Sequence, residues 1–398
     1  MQFVISIASF VLILGVVIFV HELGHFLAAR RAGIFVEEFA LGMGPILLSF
    51  KGKKKSHDGE VTLYSLRAFP IGGFCRMRGQ DSDTSDPEAL NNKPIPARML
   101  VMAGGALMNF FLAFVLFFFL AMAFGYNDTR VRFVTEGAPA YSSGLMPGDR
   151  ITHVNGSRVW VHDDYMFLIS MYPGETVELR VNRNGVRHNL TMTPEFSERH
   201  GRYIFGFEHD RFFGLFETLP ESGLFRRVRI TEGFKYSLGN MSSHMTAPFR
   251  LLSRFLGGSP LPEGGGLMGP IGIGGMVTSI NQNITEAVSE GNLTREDANR
   301  RRVEIMLLLT AVISVMLGVM NLLPLPALDG ARLVFLLIEA VRRKPVNPEK
   351  EAIIHFVGLV AFLLLAVFIA YRDIERLIPE ADTETDSLQT SVFEWNLY

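Results

Sequence analysis

Four stretches of this chain run without a formal charge for long enough to cross a bilayer: Gln2 to Val20, Met99 to Tyr126, Ile305 to Leu328 and Ala352 to Tyr371. At about 1.5 Å of rise per residue, roughly 20 helical residues cover the hydrocarbon core, and in lipid only helices or closed barrels satisfy their own backbone. The first stretch lacks a basic segment before it and a small-residue cleavage site before His21, so it reads as a retained span and not as a secretory signal. Composition agrees, since 48% of the 398 residues are apolar and 33 are Phe, more than a merely globular chain requires.

No nucleic-acid partner is expected, but the net charge of −2 itself says nothing about nucleic acid or acidic partners, so the information lies in where the cations fall. Residues 28–98 carry Arg30, Arg31, Lys51, Lys53, Lys54, Lys55 and five further basic residues, and Arg342, Arg343 and Lys344 follow the third stretch. The positive-inside rule places both segments in the cytoplasm and residues 127–304, with both termini, outside. Cys75 is the single cysteine, so no intramolecular disulfide can form.

The predicted architecture is an α-helical polytopic membrane protein of about four transmembrane helices, carrying a membrane-associated β-hairpin sheet and an inserted β/α domain. Short strands are expected at Phe35 to Leu41, Ile46 to Phe50, Val61 to Leu66 and Phe74 to Met77, separated by Gly, Pro and a basic turn. Residues 130–195 alternate apolar and polar around the string GLMPGDRITHVNG, Gly144 to Gly156, in which Leu145, Ile151 and Val154 face a core while Gly148 and Asp149 turn the chain. That string resembles the PDZ signature, and a PDZ-like fold binds extended peptide by adding a strand to its edge. Between Leu224 and Leu256, Phe225, Val228, Leu238, Met241, Met245, Phe249, Leu252 and Phe255 recur at helical spacing, as in one or two amphipathic helices. Gly257 to Met276 reads as a glycine-rich loop without the Gly-Lys-Ser/Thr ending of a phosphate cradle. The domains are therefore expected as a first transmembrane helix (1–27), the hairpin region (28–98), a second helix (99–126), the PDZ-like domain (127–210), amphipathic helices with the Gly-rich loop (211–302), a third helix (303–330), a cytoplasmic turn with a fourth helix (331–380), and a disordered tail (381–398).

His21, Glu22, Leu23, Gly24 and His25 form HExxH at the inner end of the first span. Side chains four residues apart share a helix face about 6 Å apart, so both imidazoles can reach one zinc ion while Glu22 addresses its water. Two His and a Glu are costly to bury in lipid without a purpose, and metal binding relieves that cost. A catalytic zinc needs a third protein ligand and an open position. Ala28 and Arg31 stand where a metzincin has glycine and histidine, which excludes that class. Glu37 and Glu38 are possible ligands; Asp329 is the better candidate, because it shares the membrane depth of the pair and follows the helix-stopping Pro324 and Pro326 in NLLPLPALDG.

HELGH in the first span, a PDZ-like insert after the second and NLLPLPALDG in the third together resemble the bacterial site-2 proteases of the regulator-of-sigma-factor type, with a single PDZ domain. PIGGFCRM, AGGALMNF and GPIGIG extend the likeness, which covers residues 1 to about 378. The resemblance implies a multi-pass zinc metalloprotease of the bacterial inner membrane, with its active site near the cytoplasmic side and its PDZ-like domain outside. It implies His21, His25 and Asp329 as zinc ligands, Glu22 as the catalytic base, and Asn321, Pro324 and Pro326 at the substrate. Its partners would be the lipid bilayer and single-pass transmembrane proteins already cut outside by a site-1 protease, such as anti-sigma factors, or signal-peptide remnants. Two departures, Gly105 where Pro is usual and Ala331 where a second Gly is usual, are expected to affect local packing and no ligand. The rival readings are a zinc-binding scaffold, which has no use for Glu22, and a transporter, which needs further ionisable residues in the spans. His355 is the only other one evident, and a hydrogen-bonded helix-end histidine accounts for it.

Overall fold

In the computed structural model, which describes residues 2–80, 85–198, 202–215, 226–257, 270–344 and 346–377, the chain forms two compact units. The first unit holds α1 (Gln2–Arg31), a hairpin of β1 (Val36–Lys55) and β2 (Val61–Met77), most of α2 (Ile95–Phe124), and the helices from Pro270 to Leu377. The second holds the end of α2 and everything from Gly125 to Gly257 that is described. Phe225, most of the glycine-rich stretch and the tail from Ala381 to Tyr398 lie outside the described residues.

Among the described residues, four helices are long and apolar enough to cross a membrane, one of them ending earlier and another later than its charge-free run. α1 runs on past Val20 to Arg31, because HELGHFLAARR contains no breaker and Arg30 and Arg31 suit the negative end of a helix dipole. HExxH therefore lies within a continuous helix. The third helix stops at Leu322, inside the charge-free run to Leu328, because Pro324 clashes with the preceding turn, as the helix-stopping role expected of Pro324 and Pro326 implies. α1 and α2 cross at Gly24 and Gly104: a Cβ on Gly104 would stand 2.8 Å from the Gly24 carbonyl oxygen, so only glycine lets the two backbones meet.

The four short strands expected between residues 35 and 77 are two long ones, paired antiparallel from Val36↔Met77 to Lys55↔Val61 with several register shifts. Gly42, Gly44 and Gly72 take positive φ inside these strands, so glycines read as breaks are bends within a continuous ladder. The base of β1, around Val36, Phe39 and Ala40, is buried with Ala29 of α1, whereas Leu47, Leu48 and Phe50 toward the tip are exposed. Exposed apolar side chains next to the lysine-rich turn of the hairpin suit a segment that lies against lipid.

In the second unit β3 (Tyr126–Val134), β4 (Arg150–Val154), β5 (Ser157–Arg158), β6 (Val177–Arg183) and β7 (Val186–Met192) alternate with α3 (Pro139–Ser142) and α4 (His162–Ser170). β8 (Glu195–Ser197) and β9 (Arg202–Ile204) form a small hairpin, and β10 (Phe207–Phe213) and β11 (Arg226–Arg227) complete the main sheet in the order β11-β10-β3-β4-β6-β7, with β5 on β4. Leu145, Ile151 and Val154 are buried in its core with Val177, Leu179 and Val181, as the GLMPGDRITHVNG string predicts. Gly148 turns the chain at φ +92°, and the fully buried Asp149 accepts the Met146 N–H at 3.0 Å and pairs with Arg183 at 2.7 Å. α5 (Ile230–Leu256) is one amphipathic helix with a Pro248 inside it. The sheet runs beyond the expected boundary at residue 210, because β10 pairs with β3 as far as Phe212↔Tyr126.

Among the described residues of this unit, His162 is buried and His209 and His244 are half-buried, each with a ring nitrogen left without a partner. His162 and His209 meet edge to face with centroids 4.4 Å apart, and His244 stacks on Phe117. His162 Nδ1, both nitrogens of His209 and His244 Nε2 have no hydrogen-bond partner. Burial holds His162 well below its ordinary value and pushes His209 and His244 down to about 4. The unfolded chain, with ordinary histidines near 6.5, thus binds more protons between about pH 4 and 6.5, and stability present above 6.5 is lost as pH falls, by about 1.4 kcal/mol per pH unit per histidine. Amide exchange across residues 128–213, corrected for intrinsic rates, should show protection falling between pH 7 and pH 5; equal protection at both would contradict it.

The remaining helices of the first unit are α6 (Pro270–Ser289), α7 (Arg295–Leu322), α8 (Asp329–Arg342) and α9 (Pro348–Leu377). α6 corrects the glycine-rich loop from Pro270 onward: proline is at home in a first helical turn, and Val277, Asn281 and Ile284 form a buried stripe.

Candidate metal centre

The three ligands expected from sequence converge. Asp329 Oδ2 lies 3.2 Å from His21 Nε2 and 3.2 Å from His25 Nε2, and the two Nε2 atoms are themselves 3.2 Å apart. Three donors bound to one zinc at about 2.0–2.2 Å with tetrahedral angles stand roughly 3.3 Å from one another, so this triangle is one face of a zinc coordination tetrahedron. Hydrogen bonding alone does not explain it. His25 Nδ1–H donates to the Val101 carbonyl at 2.8 Å, which leaves a bare lone pair on Nε2 facing the other imidazole and the carboxylate. A cation at the centre satisfies all three donors, and the residues fit zinc.

The local sequence explains the convergence. α7 ends at Leu322, the chain turns through Leu323–Leu328 with Ala327 at φ +71°, and Asp329 opens α8. Gly330 lies so close under Leu322 that an added Cβ would stand 2.6 Å from its carbonyl carbon, which is why a glycine follows the aspartate. α9 holds the turn from the other side. The Ala327 N–H donates to His355 Nδ1 at 3.0 Å, and a Cβ on Gly358 would come within 2.6 Å of Pro326 Cγ. His355 is thus a hydrogen-bonded helix histidine, as expected.

Glu22 follows His21 on α1, and β2 passes beside it: a Cβ on Gly73 would meet Glu22 Cγ at 3.3 Å. Asn321 is buried with its amide donating to Leu317 O at 3.0 Å, Pro324 is exposed in the turn, and Pro326 sits on α9. Glu38 is no part of the cluster, because its carboxylate takes Arg67 at 2.6 Å and the Ser65 hydroxyl at 2.6 Å; Glu37 is likewise outside. The departure at Gly105 is not remote from the ligands. A Cβ there would stand 2.5 Å from both His25 Nε2 and His21 Cε1, so a proline could not occupy the position without displacing both rings.

Sequence reasoning missed Asn109. It is fully buried in α2, its side-chain amide meets His21 Nδ1 at 3.3 Å, and its backbone carbonyl accepts the Ser314 hydroxyl at 2.8 Å from α7. Its Oδ1 has no partner. Turned end for end, the amide accepts Nδ1–H and leaves His21 Nε2 free for an ion, so it would orient this imidazole as the Val101 carbonyl orients that of His25. The signal was an amide in the middle of a charge-free span, where polar groups are costly. Asn109→Leu should weaken zinc binding by about 10–100-fold, read by competition with a chelator, while Asn109→Asp restores most of it; unchanged affinity in Asn109→Leu would contradict the assignment.

A relative in Clostridium acetobutylicum is 31% identical over 93% of this chain and 97% of its own length. The zinc metalloprotease RasP of Geobacillus kaustophilus is 28% identical over 93% of this chain and 98% of its own, and the regulator of sigma-W protease RasP of Bacillus subtilis 28% over 94% and 100%. Among solved structures, the PDZ domain of an SdrC-like protein of Listeria monocytogenes matches 21% of this chain and 88% of its own at 21% identity, with a TM-score of 0.19. The profile of peptidase family M50 matches residues 9–365, from inside α1 to inside α9 and so across every side chain of the converging triad, and the chain belongs to that family.

Proposed function

We propose that this multi-pass membrane metalloprotease, with zinc as its cofactor, hydrolyses peptide bonds inside the transmembrane segments of membrane proteins whose outer domains have already been trimmed. Anti-sigma factors and signal-peptide remnants are the substrate classes this reading favours. The observation that carries it is the triangle of His21, His25 and Asp329 donors built on helices long and apolar enough to cross a membrane.

When bound, zinc lowers the pKa of its water toward about 7 and polarises the scissile carbonyl. Glu22 takes the proton from the attacking water and returns it to the leaving amide nitrogen, acting as base and then as acid. Asn109 and Val101 hold the two imidazoles in the tautomer that offers Nε2. Asn321, Pro324 and Pro326 border the turn beneath Asp329, where an unwound substrate would lie.

A helical substrate hides its peptide bonds in its own hydrogen bonds and must unwind before attack. The hairpin is a two-stranded sheet beside α1, so each strand has an edge to offer, and β2 runs past Glu22. An unwound segment added to that edge exchanges helix bonds for strand bonds at the site of cutting. Prolines along the free edge of the hairpin should abolish cleavage of a single-span substrate in proteoliposomes with zinc content unaltered; an unaffected rate would remove the hairpin from the mechanism. The PDZ-like domain serves on this reading as a sieve that holds back untrimmed ectodomains.

A further inference from the structure

A groove in the second unit is not used by the chemistry above. It has a volume of about 870 Å³, lies between β4, β6 and α5, and is lined by Arg150, Arg158, Arg180, Arg187 and Lys235 with no carboxylate among its walls. Only Arg150 of these five has an acidic partner among the described residues, Asp128 at 3.1 Å. The field is felt by a neighbour: His153 is held below its ordinary value by burial and then by Arg180, Arg158 and Arg187. Trp160 and Leu238 give the groove apolar surface, with the Arg158 guanidinium 3.6 Å over the indole ring. Like charges gathered around an open groove raise one another's energy, and an anionic occupant relieves it.

We propose that this groove is the docking site of the chain's own acidic C-terminal segment. Residues 378–398 carry Glu380, Asp382, Glu384, Asp386 and Glu394 with no Lys or Arg, followed and flanked by Phe393, Trp395 and Tyr398, so both the charge and the aromatic character of the groove are matched. Four spans put the segment between the second and third helices and the segment after the fourth on one side of the bilayer. Twenty-one residues reach up to about 70 Å when extended.

The test uses the full chain in nanodiscs with a photo-reactive benzoylphenylalanine in place of Ser387, cross-linked and mapped by mass spectrometry. Cross-links are expected to residues 150–160, 180–187 and 235–242, falling by about tenfold or more at 1 M salt, where charges are screened beyond about 3 Å. Replacing Glu380, Asp382, Glu384 and Asp386 by Gln and Asn should remove them without any change to the folded domain. Arg158→Glu, Arg180→Glu and Arg187→Glu together should do the same, and lysines at the four acidic tail positions should restore them. Cross-links elsewhere, cross-links that survive the neutral tail, or displacement of nothing by charge reversal would overturn the proposal. A groove that instead yields its cross-links to added phosphatidylglycerol but never to the tail would assign it to lipid headgroups and equally overturn it.

Discussion

Glu22→Gln should leave zinc in place and lower kcat for cutting a transmembrane segment by about 10²–10⁴-fold, the usual contribution of a positioned general base. The substitution keeps the size and hydrogen-bonding shape of the side chain, so α1, the packing of β2 at Gly73 and the neighbouring His21 and His25 remain as they are. What it removes is the capacity to accept a proton from water and return it to the leaving nitrogen. Single-turnover cleavage in proteoliposomes together with metal analysis of the same preparation reads both halves. Lost cleavage with lost zinc would mean that Glu22 supports the site and not the reaction, and full cleavage would eliminate it as the base.

Asp329→Ala acts on the ion itself. The aspartate supplies the one anionic donor of the triangle, and without it two neutral imidazoles on α1 remain. Zinc affinity should fall by more than the about 10–100-fold that outer-shell losses cost. The fold should survive, because Leu323–Leu328 is also held from α9 by His355 and Gly358, and the lost carboxylate at the start of α8 costs only about 0.3–1 kcal/mol of helix-end electrostatics. Asp329→Asn separates charge from shape. Zinc binding by Asp329→Ala at the wild-type level would show that this carboxylate is not a ligand.

The spans, the HExxH pair and Asp329 were legible in the sequence because each is a local pattern with a physical cause: a charge-free run of helical length, two imidazoles one turn apart, an acid after a proline break at membrane depth. The ends of elements were not. The charge-free run ends at Val20 and the expected first helix at residue 27, but α1 continues to Arg31, because Arg30 and Arg31 are good last-turn residues. The glycines before Met276 hid the start of α6, although Val277, Asn281 and Ile284 already repeat at helical spacing. Gly42, Gly44 and Gly72 split the hairpin on paper and bend it in space. Asn109 was out of reach for a different reason: its partner His21 is 88 residues away, and nothing local in AGGALMNF says which ring it will meet. Gly105 shows the same limit, an apparent packing detail that lies against both the His21 and the His25 rings.

Zinc K-edge X-ray absorption on the purified wild-type chain tests the central claim most directly. The account predicts a four-coordinate ion with two imidazole nitrogens at about 2.0–2.1 Å and oxygen donors at about 2.0–2.2 Å, the carboxylate of Asp329 among them and lost in Asp329→Ala. A spectrum with sulfur at about 2.3 Å, or one that Asp329→Ala leaves unchanged, would contradict it.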